Sequence, residues 1–200
     1  MGVRGQHDAW FWDLAAYQTE VDDLIALLDF LEIDKVIVVG LSMGGYIALR
    51  ALERNPERFL GVALCDTQSK ADDNAGKLKR AAGAKAVKKD GSAAFAAGFV
   101  EAVFTPASIE NKVPQVDFIQ KVISANDPLA IAGNLIAMAG RTDTTESLSD
   151  IAVPTLILVG EEDKLTPPDA ARDMHNRIKG SQLHLVPQAA HMSNLENPEF

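Results

Sequence analysis

Gly40-Leu41-Ser42-Met43-Gly44 sets a serine between two glycines, directly after the β-branched run Lys35-Val36-Ile37-Val38-Val39 and directly before an apolar helical pattern from Met43 to Arg54. A sharp strand-to-helix turn crowds the backbone, so Gly40 and Gly44 are expected where a Cβ would collide with a neighbouring element, and the serine oxygen is pushed into the open. A serine hydroxyl is a weak nucleophile at neutral pH and needs a base to take its proton. The chain has 4 histidines: His7, His175, His184 and His191. His184 lies inside the strand pattern Leu183, Leu185, Val186, His175 inside a polar helix between Pro168 and Ile178, and His7 ahead of the first regular element. His191 follows the last strand in Pro187-Gln188-Ala189-Ala190-His191-Met192-Ser193, where ligand-binding loops of a parallel sheet lie, and is the best candidate base.

An imidazole base needs a carboxylate on its other nitrogen to hold its tautomer and stabilise the cation that forms. Asp163 fits, in the loop Glu161-Glu162-Asp163-Lys164-Leu165-Thr166-Pro167 after the strand that ends at Gly160. Glu161 and Glu162 compete with it but read as solvated, and Asp66, after the preceding strand, is a further alternative.

These residues must be positioned by a sheet. Four apolar runs read as buried parallel strands: Lys35 to Val39, Phe59 to Cys65, Val153 to Val159 and Gln182 to Val186. Each lies next to a helical pattern, and in the stretch Thr19 to Leu31 the residues Val21, Leu24, Ile25, Leu28 and Leu31 recur at helical spacing. Alternating β and α units imply an α/β fold with a doubly wound, mostly parallel sheet. Between Thr67 and Asp150 no strand is evident, only Ala-rich helical segments broken at Gly83, Gly91, Pro106, Pro114 and Pro128. The chain therefore divides into a first core part, residues 1–66, a helical insertion, 67–150, and a second core part, 151–200. Phe95, Phe99, Phe104, Phe118, Leu129, Leu135 and Met138 are candidates to line a pocket over the strand ends or to pack the insertion's own helices.

A formal net charge of -9 argues against nucleic acid or an anionic membrane as partner and leaves a small molecule. The single cysteine, Cys65, forms no internal disulfide, and neither an apolar signal core at Met1-Gly2-Val3-Arg4-Gly5-Gln6-His7 nor a membrane-length apolar run is present, so a cytoplasmic protein is expected. Against the acidic background, Lys70, Lys77, Lys79, Arg80, Lys85, Lys88 and Lys89 crowd one stretch, either as a solvated helix face or to steer an anionic substrate.

Val39-Gly40-Leu41-Ser42-Met43-Gly44-Gly45, the stretch from Val153 to Asp163, and Ala190-His191-Met192-Ser193-Asn194-Leu195-Glu196-Asn197-Pro198 together resemble the α/β-hydrolase superfamily, nearest its capped esterases and lactonases of the 3-oxoadipate enol-lactone hydrolase type. The order Ser42, Asp163, His191 is that family's order. The resemblance implies catalysis by Ser42, Asp163 and His191, an oxyanion donor at the Met43 amide, a substrate-selecting cap at 67–150, and no metal or organic cofactor. It also implies strands and a His-Gly oxyanion loop ahead of Met1, an Asp-x-Arg-Gly-x-Gly motif where this chain has Gly2 to His7, and a final helix after Phe200. The chain is accordingly expected to be a late-started reading of a longer hydrolase, or one that completes an open apolar edge at Lys35 to Val39 by homo-oligomerisation.

The expected function is a serine hydrolase of a small-molecule carboxylic ester or lactone. Alternatives are a receptor-like binding protein on the same fold, a carbon-carbon bond hydrolase or a cofactor-free perhydrolase.

Overall fold

The computed structural model describes residues 16–111 and 113–200. His7 and the Gly2 to His7 segment lie outside the described residues. The four apolar runs pair into one parallel sheet, β1 (Val36–Leu41), β2 (Phe59–Cys65), β3 (Thr155–Gly160) and β4 (Gln182–Val186), in the order β1-β2-β3-β4. Spatial order thus repeats chain order. Register places Leu41 opposite Cys65, Cys65 opposite Leu158 and Gly160 opposite Val186, so the carboxyl ends of all four strands open on one rim.

Helices α1 (Ala16–Phe30), α2 (Met43–Arg54) and, after β3, α8 (Pro168–Arg177) carry the apolar stripes that cover one sheet face. Val36 and Val38 of β1, Val62 and Leu64 of β2, Ile157 and Val159 of β3 and Leu183 and Leu185 of β4 point into this layer, where Val21, Leu49, Leu52, Met174 and Ile178 meet them. The alternate residues Ile37 and Val39 stay 68% and 69% exposed, on the opposite face of β1, which is at the edge of the sheet among the described residues. Arg58 fixes the turn between α1 and β1 by donating to the carbonyls of Ile33 and Asp34 and pairing with Asp29.

Among the described residues five α-helices lie between β2 and β3, α3 (Asn74–Asp90), α4 (Ser92–Val103), α5 (Pro106–Glu110), α6 (Pro114–Ser124) and α7 (Pro128–Ala139). Their starts follow local chemistry. Pro106, Pro114 and Pro128 occupy first-turn positions, while Asp73, Thr105 and Asp127 cap α3, α5 and α7 by accepting backbone N–H groups. Gly83 does not break a helix as expected. It lies within α3, where a Cβ would stand 3.4 Å from Leu135 of α7, and this close packing outweighs the residue's weak helical preference. The helices make their own apolar clusters, one from Ala84, Val87, Ala132 and Leu135 and another from Val100, Val103, Phe104 and Val116. Phe118 and Leu129, candidate pocket liners, instead face solvent at 59% and 57% exposure. Phe95 stacks on Phe99 with ring centroids 5.6 Å apart.

A short helix, α9 (Ser193–Glu196), follows β4. Among the described residues no single helix is long and apolar enough to cross a membrane.

Candidate active site

Ser42 is the residue between β1 and α2 and sits at φ 51, ψ -113, a conformation that L-residues rarely adopt and that the surroundings must enforce. Its N–H donates to the Cys65 carbonyl at 2.9 Å and its carbonyl accepts the Thr67 hydroxyl at 2.8 Å, so the rim of β2 holds the turn from both ends. A Cβ on Gly40 would lie 2.5 Å from the Gly44 carbonyl oxygen. The second crowded position is Gly45, whose added Cβ would lie 2.3 Å from the Thr67 hydroxyl, whereas one on Gly44 would meet nothing within 4 Å. The expectation for Gly44 is thereby corrected. The turn is pressed by Thr67 from the next strand end, and Gly45 faces it.

The rim brings the three candidates together. Ser42 Oγ lies 2.8 Å from His191 Nε2, and His191 Nδ1 lies 2.8 Å from Asp163 Oδ2. Ser42 is partly exposed, while His191 and Asp163 are each 3% exposed. With Nδ1–H donated to a carboxylate, Nε2 carries the lone pair that faces the serine hydroxyl. Burial opposes ionisation of Asp163, but hydrogen bonds from His191 and from the side chain and backbone of Thr166 hold its carboxyl below the usual range. The Leu165 and Thr166 amides donate to Asp163 Oδ1 at 2.8 and 3.0 Å, and the Thr166 hydroxyl donates to Oδ2 at 2.7 Å. Met43 is the first residue of α2, so its amide has no acceptor within the helix and lies beside Ser42.

His175 and His184 are elsewhere: His175 Nδ1 is 2.8 Å from Ser181 Oγ, and His184 meets the Phe200 ring edge-on at 6.3 Å. Glu161 and Glu162 are exposed, and the lysines of α3 line its solvent face, with Lys88 and Lys89 in the last turn where the helix dipole favours them.

Thr166 and Arg141 carry no expectation from the sequence, and Asp66 takes a role other than the one weighed for it. Thr166 lies three residues after Asp163 and braces it; an Asp-x-x-Thr turn is its local signal. Asp66 is fully buried at φ 45, accepting the Gly160 N–H at 2.9 Å and the Ser193 hydroxyl at 2.5 Å. It thereby ties the ends of β2 and β3 to the histidine loop and is not the partner of His191. Burial is the main influence that pushes the Asp66 carboxyl up to about 6, with Asp163 nearby adding to it and the two hydrogen bonds opposing it. Buried Arg141 donates to Asp72 and the Lys70 carbonyl, both at 2.7 Å, and lies 4.3 Å over the Tyr46 ring of α2, which joins the inserted helices to the helix behind Ser42.

A parallel sheet with a strained serine turn and a Ser-His-Asp contact chain at its rim is the architecture of an α/β-hydrolase. The chain belongs to the hydrolase family described as serine aminopeptidase, S33, whose model matches residues 4–198. It is 29% identical over 177 residues to 3-oxoadipate enol-lactonase 2 of Acinetobacter baylyi, covering 88% of this chain and 64% of that protein. Among solved structures it is similar to a thermophilic esterase from Thermogutta terrifontis, with TM-score 0.85, 32% identity and coverage of 90% of this chain and 66% of the other. The enol-lactonase from Burkholderia xenovorans LB400 superposes with TM-score 0.83 and 26% identity over 92% of this chain and 68% of that one. The chain thus spans about two thirds of the length of these relatives.

Proposed function

We propose that the chain is a serine hydrolase that cleaves a small carboxylic ester or lactone through an acyl-enzyme. The observation that carries this reading is the continuous contact from Ser42 Oγ through His191 to Asp163, with the serine held at φ 51 beside the start of a helix. His191 Nε2 takes the Ser42 proton as Oγ bonds to the substrate carbonyl carbon. The negative charge that develops on the carbonyl oxygen falls beside the Met43 amide, and each such donor contributes on the order of 3 kcal/mol to the transition state. Asp163 keeps Nδ1 protonated and offsets the imidazolium charge. His191 then returns the proton to the leaving oxygen, which departs as an alcohol or, from a lactone, as the free hydroxyl end of the same molecule. Water, deprotonated by His191, attacks the acyl carbon; the bond to Oγ then breaks, the acid leaves, and His191 returns the proton to Ser42 Oγ. Residues 67–150 act as the cap, and the names of the lactonase and esterase relatives support the substrate class.

The test is hydrolysis of short p-nitrophenyl esters and of small lactones, by the chain and by Ser42→Ala. Turnover should fall at least about 10⁴-fold in the variant, and a fluorophosphonate should label the parent at Ser42 only. Undiminished turnover in Ser42→Ala would overturn the mechanism, and ligand retention without turnover in the parent would mark a binding protein instead.

A further inference from the structure

Glu196, at the end of α9, receives four hydrogen bonds from two different parts of the molecule. Its Oε2 accepts the backbone N–H of Ala190, the residue immediately before His191, at 2.6 Å. Its Oε1 accepts the Thr105 N–H at 2.8 Å, the Thr105 hydroxyl at 2.8 Å and the Ser108 hydroxyl at 2.6 Å. Thr105 and Ser108 form the junction between α4 and α5, and Thr105 is 3% exposed. The same junction is joined a second time, by Met192 N–H donating to the Val103 carbonyl at 3.2 Å, and a third time by Met192 and Leu195 packing on Val100, Val103, Phe104 and Val116. The loop that carries the imidazole is therefore fastened to the inserted helices on both sides of His191.

All four partners of Glu196 are donors. A carboxylate can accept from every one of them, whereas an amide has one accepting oxygen and must turn an N–H toward either Ala190 or the Thr105–Ser108 pair. Acceptors on both ends of one side chain are what a connection between two donor-bearing segments requires. Glu196 is bonded to none of the three candidate catalytic side chains, so it acts through the backbone at residue 190.

Taking the proposed role of His191 as given, we infer that Glu196 is a positioning residue that makes the placement of the His191 imidazole depend on how the α4–α5 junction is seated. Seating the junction draws Oε1, and with it Oε2 and the Ala190 peptide, into the position in which Nε2 faces Ser42. An unseated junction leaves the Ala190 end without its anchor. The substrate-selecting helices and the proton relay are on this account coupled, so that substrate held under the α4–α5 junction also aligns the base that will act on it.

The experiment compares four proteins: the parent, Glu196→Gln, the double variant Thr105→Val with Ser108→Ala, and Ser92→Ala. The double variant removes the two hydroxyl bonds from the junction to Oε1, keeps the Thr105 N–H, and leaves Ala190 its acceptor. Ser92→Ala removes a different bond of the inserted helices, to the Asn126 carbonyl at 2.6 Å, remote from the histidine loop. Steady-state ester hydrolysis, thermal melting and the downfield proton resonance of His191 Nδ1–H are measured on each. Glu196→Gln and the junction double variant should both lower kcat by on the order of 10-fold or more, with a smaller change in KM, and both should shift or broaden the imidazole resonance. Ser92→Ala should keep parent kcat and resonance. A junction double variant with parent kcat and an unshifted resonance overturns the inference, as does an equal kcat loss in Ser92→Ala at equal loss of melting temperature. If Glu196→Gln does not fold, the junction double variant decides alone. Should the parent itself lack turnover, the function proposed above fails, and the resonance still reads the coupling.

Discussion

Gly160 is the last residue of β3 and has the histidine loop against its α-hydrogens. A Cβ there would stand 2.1 Å from the Ala190 carbonyl oxygen, 2.4 Å from that of Ala189 and 2.8 Å from the Ala189 carbonyl carbon. Ordinary carbon-to-oxygen contacts begin near 3.3 Å, so Gly160→Ala must drive the two segments apart by about 1 Å. β3 has little freedom to yield: it is paired with β4 through Gly160 and Val186, and the Gly160 N–H is held by buried Asp66. The displacement therefore falls on residues 189–191, and a retreat of about 1 Å takes the 2.8 Å contact between His191 and Ser42 beyond hydrogen-bond range. Misplacement of this size costs about 100-fold in kcat, equivalent to about 2.7 kcal/mol, while overpacking takes about 1 to 3 kcal/mol from folding stability. For a chain of this size the latter corresponds to a fall of several degrees in Tm, at about 2 to 4 °C per kcal/mol. The assay is ester hydrolysis at saturating substrate, with melting measured on the same preparation. Gly98→Ala serves as the control, because an added Cβ there meets nothing within 4 Å and α4 gains a better helix former. Parent kcat and parent melting in Gly160→Ala would refute the reasoning.

The raised Asp66 carboxyl gives a pH signature. The unfolded chain releases this proton near pH 4 and the folded chain near 6, so the group's contribution is most favourable below about pH 4 and declines as pH rises through about 6, by on the order of 3 kcal/mol. Asp66→Asn should become progressively more stable relative to the parent over that window in denaturant titrations at successive pH, and a constant difference would contradict the assignment. Asp163 works in the opposite sense: its lowered carboxyl stabilises the fold above about pH 4 and is lost in stronger acid, so Asp163→Asn should flatten the acid limb of the melting profile as well as reduce kcat. Arg141→Ala should lose about 3 kcal/mol by urea denaturation, because it removes a buried cation from Asp72, the Lys70 carbonyl and the Tyr46 ring, while Arg80 keeps Asp72 partly compensated. Arg141→Lys should recover little of that, since an ammonium lacks the planar fork that reaches two acceptors at once.

Strand ends were legible because the chemistry follows the apolar runs directly. Ser42 comes one residue after β1, Asp163 three residues after β3 and His191 five after β4, and parallel register carries all three to one rim. β2 and β4 begin and end where the apolar runs do, whereas β1 and β3 are offset by one or two residues, since period alone does not mark where pairing stops. What could not be read depends on contacts between distant residues. Glycine is needed at 45 because Thr67 presses there, and Gly83 stays helical because Leu135 packs beside it. Glu196 finds Thr105 across 91 positions of chain, with no local pattern to announce the pair. Phe118 and Leu129 share the helical spacing of buried neighbours, yet the helices turn that side outward.

Neighbouring strands β2 and β3 are separated by about 90 residues of chain, against fewer than 20 between the end of β1 and the start of β2. Closing an excursion of that length costs free energy only logarithmically, about 0.6 kcal/mol for each doubling. Timing feels it more than stability does, because distant pairing must wait while local pairing proceeds. The unit β1-α2-β2, with the serine turn at its centre, is therefore placed to assemble early and to serve as a template on which the later strands dock. Lengthening or trimming the excursion at its exposed turns should alter how fast that docking occurs while leaving the equilibrium stability of the sheet within about 1 kcal/mol of its starting value.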